Sequence, residues 1–315
     1  MPSSTTQSGA HRDLRRPAAL RRSWLFVPGM DQQAHARGLD SGADVLVADL
    51  EEFTAPADRP QARLRIVELL AQCRGRHIVG AVRVNKLDAD GLDDLQAIMV
   101  GAPDAILLPH TESPQHMVDL DAALLAHERR LGLPLGRTEL VPTLESARAI
   151  VHTYSILTAT DRISACLLSV EDLSADLQLE RSPEGVELHA VRSRFLIECV
   201  AAGRVAIDSP FNYRDPFALE TDLKWSRRMG FKSKCTIFAQ QVAAIHRALT
   251  PSADDYRQAQ GLLERYAQQQ QEADPGAMLI DVPDAHTARR LCARYEQFQH
   301  YAERTQAPSR SVGDV

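Results

Sequence analysis

Val45-Leu-Val-Ala-Asp49-Leu-Glu51-Glu52 is the stretch on which the reading of this chain turns. A short apolar run stops at a carboxylate, and two more acidic residues follow. Helical periodicity then begins near Asp58, with Ala62, Ile66 and Leu69/Leu70 on one face. A run that is continuous rather than alternating is what a strand covered by helices requires. The same unit recurs along the chain. Strand-like runs are Trp24–Val27, Val45–Asp49, Ile78–Val84, Ala105–Leu108, Glu139–Val141, Ile163–Leu168, Val205–Ile207 and Phe231–Ile237. Each is followed by a helix-like segment. Eight such units predict parallel βα repeats closing into a (β/α)8 TIM barrel, an α/β fold.

The pattern also marks where the barrel stops. Glu187 to Val200 places Leu188, Val191, Phe195 and Cys199 on one face, and Gly203 follows as a stop signal. After Pro251 the alternation ends. Ser252-Ala-Asp-Asp255 reads as a capping box opening a polar helix that runs through Gln268–Gln271. Asp274-Pro275-Gly276 breaks it, and an amphipathic helix follows from about Ala285 to Phe298. The expected plan is a disordered tail over 1–20, a catalytic barrel over 21–250, a C-terminal helical arm over 251–304 and a disordered tail over 305–315. The first twenty residues are rich in Ser, Thr, Arg and Ala, which fits a flexible tail or an organellar transit peptide. The lack of an amphipathic stripe favours the tail.

Composition excludes several classes of function. A net charge of −6 gives no polyanion-binding surface, so nucleic acid is not an expected partner. No apolar run reaches the length of a membrane span. Cys73, Cys166, Cys199, Cys235 and Cys292 form no CxxC pair, which fits reduced thiols in a cytoplasmic protein. Cys166 and Cys235 lie in strands and are expected in the core. His35, His127, His152, His246 and His286 are not grouped at zinc-ligand spacing and read as surface or packing residues.

In such a barrel the chemistry sits where strands end and βα loops begin. The ends read Asp49-Leu-Glu51-Glu52, Val82-Arg83-Val84-Asn85, Val141-Pro-Thr-Leu-Glu145 and Ser169-Val-Glu171-Asp172-Leu173. Carboxylates from three strand ends and one arginine therefore share a rim. Oxygen ligands of this kind suit Mg2+, and an arginine fork suits a substrate carboxylate. Two plainer roles compete. Acidic residues after strands are as often helix caps or first-turn residues, and Arg83 read alone is as often a salt bridge between strand ends. His110, at the end of strand four, is a site residue or a hydrogen-bonded structural histidine. Arg227-Arg228 reads as a solvated helix face, with attraction of a nucleotide's phosphates as the alternative.

As a set, these segments resemble the citrate lyase β-subunit / malyl-CoA lyase family of the HpcH/HpaI aldolase superfamily. Arg22-Ser-Trp-Leu-Phe-Val-Pro-Gly29 is similar to its opening motif, as is Gly42-Ala-Asp44 leading into Asp49-Leu-Glu51-Glu52. Val82-Arg83-Val84-Asn85, Val141-Pro142…Glu145-Ser-Ala147, Val170-Glu171-Asp172-Leu173…Asp176-Leu177 and Gly230-Phe231…Lys234 continue the likeness in order, over about residues 22 to 290.

The resemblance implies the same barrel and a set of roles. Glu145 and Asp172 would hold Mg2+. Arg83 would pair with a 2-oxo acid carboxylate, with Asp49, Glu51 and Glu52 ordering metal-bound water or the arginine. The implied reaction is an aldol or Claisen cleavage of a 3-hydroxyacyl thioester such as malyl-, citramalyl- or citryl-CoA. Met278-Leu-Ile-Asp281-Val-Pro283 resembles a segment whose Asp acts as acid or base in a neighbouring subunit. That implies a catalytic Asp281 and a homo-oligomer, a trimer or hexamer; the plainer role is a cap of the last helix. The chain also departs from the family. Leu108-Pro109-His110 stands where "L-P-K" is usual, Ser169 where glycine is common, and Phe238-Ala239 where His-Pro is usual. The last change alters the thioester side of the site. A free-acid aldolase, an acyl-CoA thioesterase and a non-catalytic or accessory protein that binds a keto acid or a partner subunit are the alternatives.

Overall fold

The computed structural model describes residues 15–271 and 280–306. Eight parallel strands close on themselves in chain order: β1 (Ser23–Pro28), β2 (Val45–Asp49), β3 (Val79–Arg83), β4 (Ala105–Leu108), β5 (Glu139–Leu144), β6 (Ala165–Leu168), β7 (Val205–Asp208) and β8 (Ser233–Thr236). The outer layer contains α1 (Gln32–Asp40), α2 (Arg59–Gly75), α3 (Leu92–Ile98), α4 (Pro114–Leu131), α5 (Ala147–Val151), α6 (Thr153–Leu157), α7 (Val170–Asp176), α8 (His189–Ala201), α9 (Pro216–Met229) and α10 (Val242–Leu249). This is the (β/α)8 barrel that the strand–helix alternation predicts.

Most strand bounds differ from the sequence reading by a residue or two, and β5 differs for a physical reason. Pro142 ended the expected strand, because proline removes a ladder donor. Here the strand runs through it to Leu144. Pro142 pairs with Leu108, the last residue of β4, so the missing N–H falls where that ladder ends.

Each strand serves two apolar layers. Phe26, Val47, Ala81, Leu107, Val141 and Leu167 fill the barrel interior. Leu25, Leu46, Val82 and Ile106 face outward, packing with helix residues such as Ile66, Leu70 and Leu120. Since side chains alternate, parity decides what reaches the mouth. Asp49 follows Val45 and Val47, Arg83 follows Val79 and Ala81, and Thr143 follows Val141. All three therefore point inward at the C-terminal ends of their strands.

Lys234 has the other parity. It lies in the layer between barrel and helices, 2.9 Å from Asp222 and 3.1 Å from Asp208. Arg192 from α8 grips Asp208 with two hydrogen bonds of 2.9 and 2.6 Å. Burial alone would push the Asp208 carboxyl up, but Arg192 and Lys234 hold it well below the usual range. The strand-eight lysine is thus part of a buried ionic clasp rather than of the mouth.

The arm consists of α11 (Ala253–Gln271) and α12 (Val282–Gln306). The expected capping box is present: Asp255 N donates to Ser252 Oγ at 3.0 Å, and Ser252 N donates back to Asp255 Oδ2 at 2.9 Å. Ala259, Ala288 and Cys292 form a small core between the two helices, and Tyr256 stacks on Tyr295. The expected break at Asp274-Pro275-Gly276 lies outside the described residues.

One expectation needs correcting. Residues 15–20 are not part of a loose tail. Ala18–Leu20 form a helical turn, and Leu20 is buried against Phe298 and Tyr301 of α12. Arg16 lies over the Tyr301 ring at 4.3 Å. A polar composition hid one apolar anchor, Leu20, whose partners are almost the whole chain away. Among the described residues no helix is long and apolar enough to cross a membrane.

Candidate active site

Asp49 and Arg83 are register partners across β2 and β3. Arg83 Nε donates to Asp49 Oδ1 at 2.8 Å and Nη2 donates to Oδ2 at 2.6 Å. Asp49 also accepts backbone N–H bonds from Glu51 at 3.0 Å and Phe53 at 2.8 Å, so the turn after β2 is tied to the same carboxylate. Arg83 Nη1 lies 3.0 Å from Glu51 and Nη2 lies 3.3 Å from Glu52. The guanidinium is backed by the rings of Phe26 and Phe53, at 5.2 and 5.5 Å. Burial disfavours the charge on Arg83, but Asp49 and Glu51 more than offset this and raise its pKa. Arg83 is therefore a strand-to-strand salt bridge, as the plainer reading expected, and it also lines the mouth.

Glu145 follows β5 directly. The cap of α5 is Ser146, whose Oγ accepts from Ala149 N at 3.1 Å, so Glu145 is not needed there. Its Oε2 accepts from the backbone N–H of His110 at 2.9 Å and lies 2.8 Å from His110 Nδ1. His110 Nε2 lies 3.4 Å from Glu51. Hydrogen bonds to Glu145 and then Glu51 push the His110 imidazole up to about 10. Asp172 is exposed in the first turn of α7, where the helix dipole favours a carboxylate. One ligand atom each from His110, Glu145 and Asp172 lie within 4.8 Å of one another.

The result is a continuous polar chain, Asp49–Arg83–Glu51–His110–Glu145, that runs along the rim to Asp172. Burial raises the Glu51 pKa, but His110 and Arg83 bring it below its ordinary value. Glu52 goes the other way: partial burial raises its pKa against the pull of Arg83.

Beside this chain lies a cavity of about 190 Å³ lined by Phe26, Phe53, Arg83, Thr143, Ser169, Glu171 and Asn212, among others. Among the described residues, Thr143 Oγ1 and Asn212 Oδ1 are buried without a hydrogen-bond partner. Unsatisfied polar atoms in a cavity are costly unless a ligand or water meets them. The cavity thus fits a small polar molecule, and the rim carboxylates with an imidazole are a donor set that fits a divalent cation.

Sequence reasoning placed Asp49, Glu51, Glu52, Arg83, Glu145 and Asp172 at one rim, and the structure brings them together there. It treated His110 as weak, quoted Glu171 at the end of strand six without giving it a role, and missed Thr143 and Asn212. Parity with Val141 was a legible signal for Thr143. Asn212 lies in a loop with no period to read, and its amide Nδ2 donates to Glu171. Arg227 lies in the last turn of α9 and pairs with Asp255 at 2.8 Å, at the barrel's opposite end. Asp281 caps α12: its Oδ1 accepts from Asp284 N at 2.9 Å.

Comparison with known proteins gives a consistent picture. The family model described as HpcH/HpaI aldolase/citrate lyase matches residues 22–237. Citrate lyase subunit beta of Haemophilus influenzae is 31% identical over 283 residues, which cover 87% of this chain and 97% of that protein. The L-malyl-CoA/beta-methylmalyl-CoA lyase of Rhodobacter capsulatus is 28% identical over 258 residues, covering 75% and 81%. Among solved structures, protein CitE from Mycobacterium tuberculosis in complex with magnesium, acetoacetate and coenzyme A is 26% identical. It superposes with a TM-score of 0.68, covering 87% of this chain and 97% of that one.

Proposed function

The chain belongs to the HpcH/HpaI aldolase/citrate lyase family, and from that premise we propose that it is a Mg2+-dependent carbon–carbon lyase. Its substrate would be a 3-hydroxyacyl thioester of the malyl-, citramalyl- or citryl-CoA type, and a 2-oxo acid would be released. The observation that supports this most is the polar chain joining Arg83 to Glu145 and Asp172 at one mouth. A carboxylate anchor and a cation site side by side match the two ends of a 2-oxo acid.

Glu145 and Asp172 would hold the ion, whose chemistry when bound is Lewis-acid polarisation of the substrate's oxygens. Arg83 takes the acid's carboxylate on the side of the guanidinium that Asp49 leaves. Asp49 keeps the Nε edge, so the incoming carboxylate replaces the long Glu52 contact on Nη2 instead. Glu52 is suited to yield, since it is largely exposed and its partial burial already disfavours the charge. Phe26 and Phe53 exclude water behind the guanidinium, which strengthens its pull. In the cleavage step a base removes the 3-hydroxyl proton and the carbonyl of the 2-oxo acid forms. The C2–C3 bond breaks, and its electron pair goes to the acyl α-carbon, which then takes up a proton.

A second reading is favoured by Phe238-Ala239. Phe238 lies under Arg214 at 5.5 Å and so presents a ring with a cation beside the loop after β8. This supports a different carrier, or a free hydroxy acid, as the acyl side of the same reaction. A metal-dependent screen of malyl-, citramalyl- and citryl-thioesters and the matching free acids, with released keto acid as the readout, separates these readings. No keto acid from any of them, with the divalent ion bound, would leave the non-catalytic reading standing.

A further inference from the structure

The two carboxylates account for only part of the cation site. His110 has φ of 49°, a left-handed backbone that few residues other than glycine adopt, histidine being among the more tolerant of it. That conformation turns both its backbone N–H and its imidazole toward Glu145 Oε2, at 2.9 and 2.8 Å. The backbone bond already fixes the carboxylate, so the ring is not needed to orient it. His110 Nδ1 and Glu145 Oε2 share a proton across 2.8 Å, and a bound ion would take that proton's place between them. Asp172 closes the third corner within 4.8 Å. The ring is also partly open, on the edge of a cavity of about 420 Å³ that His110 shares with His116 and Lys86.

We propose that His110 is a third protein ligand of the divalent ion, through an imidazole nitrogen, and that the site therefore holds Co2+ and Mn2+ more tightly than Mg2+. The inference rests on the reading of Glu145 and Asp172 as ligands and concerns what the histidine adds to them. Mg2+ favours oxygen donors, whereas an imidazole raises affinity for first-row transition ions.

Mn2+ added to the full chain is the direct probe. Pulsed electron paramagnetic resonance is expected to show one directly bonded nitrogen in the unaltered protein and in His116→Ala, and none in His110→Ala. In calorimetry, His110→Ala is expected to weaken Co2+ at least about tenfold more than it weakens Mg2+. The nitrogen signal of the unaltered protein decides the matter even if the variant folds poorly. Absence of that signal, or equal weakening of Co2+ and Mg2+, overturns the role of His110. Mn2+ binding that survives both Glu145→Gln and Asp172→Asn overturns the site reading itself, a different result from a bound ion without nitrogen.

Discussion

Asp49 and Arg83 face each other at the last register position of β2 and β3, and the guanidinium spends its Nε edge on that one carboxylate. Both partners belong to paired strands, so the remaining donors are aimed by the barrel itself. Lysine keeps the charge but has no fork, and it would lose either Asp49 or the substrate. Arg83→Lys is expected to lower kcat/KM on the order of 100-fold, the scale of a misplaced binding group. Steady-state kinetics within a few-fold of the unaltered protein would mean that Arg83 only clasps the strands.

Glu52 is the one contact of Arg83 that a substrate can displace. Its side chain is mostly exposed and its 3.3 Å contact is the longest of those the guanidinium makes to carboxylates. Removing a competitor for the same donor should tighten binding. Glu52→Ala is expected to lower KM several-fold, by roughly 1 kcal/mol or less for an exposed pair, with little change in kcat. A raised KM would instead give Glu52 a direct part in holding the substrate.

Glu145 and Asp172 come from successive βα units and meet because β5 and β6 pair side by side. Neither replaces the other, since each supplies a separate corner. Isothermal titration with Mg2+ should show affinity reduced at least about tenfold in both Glu145→Gln and Asp172→Asn. Undiminished Mg2+ affinity in either variant removes that residue from the ligand set.

These tests fall on residues that the sequence made legible, for a reason that also explains the gaps. Val45-Leu-Val-Ala-Asp49 carries its own ending: apolar residues on both faces, then a carboxylate. A strand end is a local signal, and in this fold the strand ends share one rim. What a single strand cannot express is its neighbour. That Asp49 pairs with Arg83 depends on register, and that His110 reaches Glu145 depends on a left-handed turn after Pro109. Leu20 looked like tail because its partners, Phe298 and Tyr301, lie on the last helix. Lys234 was legible only as part of a motif, and motif order carries no parity; the alternation along β8 turns it to the helix layer.

The N-terminal face of the barrel has a built-in acid sensitivity. His246 Nε2 lies 2.7 Å from Ser23 Oγ, and that hydroxyl oxygen accepts the Asp44 backbone N–H at 3.0 Å. The hydroxyl proton is thus free to be donated to a neutral imidazole. Burial lowers the His246 pKa to about 4, against the opposing pull of Asp44. The unfolded chain, with an ordinary value near 6.5, therefore binds the proton first as the pH falls. Stability from this group is full above about pH 6.5 and is lost progressively down to about pH 4, by at most about 3 kcal/mol. His246→Gln should flatten the urea-unfolding free energy across that window relative to the unaltered protein. An unchanged slope would mean that His246 is as readily protonated in the fold as out of it.

Asp281 is where a local role and a remote one can be separated. Its Oδ1 caps α12 through Asp284 N, and its carbonyl accepts from Ala285 N. It is exposed, and none of these bonds involves a strand end of its own barrel. The other part of α12 is anchored by Phe298 and Tyr301 on Leu20. Seventeen helical residues span about 25 Å, so the capped end projects well away from that anchor. We propose that in a trimer or hexamer this end reaches the mouth of a neighbouring copy and supplies the proton-transfer group, as the resemblance implies. Asparagine caps as well as aspartate, so Asp281→Asn leaves α12 intact and removes only the ionisable group. Its activity is expected to fall on the order of 100-fold or more, the usual scale for a general acid or base. Glu145→Gln is expected to be inactive for a different reason, the loss of a metal ligand. Mixed one to one under conditions that exchange subunits, the two variants should form intact sites wherever a barrel with Glu145 meets an arm with Asp281. Random pairing makes that about one site in four in a head-to-tail ring. Recovery of about a quarter of the unaltered activity is the expected result. Full activity of Asp281→Asn alone would leave Asp281 as a helix cap and nothing more, and no recovery on exchange, or a strict monomer at assay concentration, would overturn its action on a neighbouring copy.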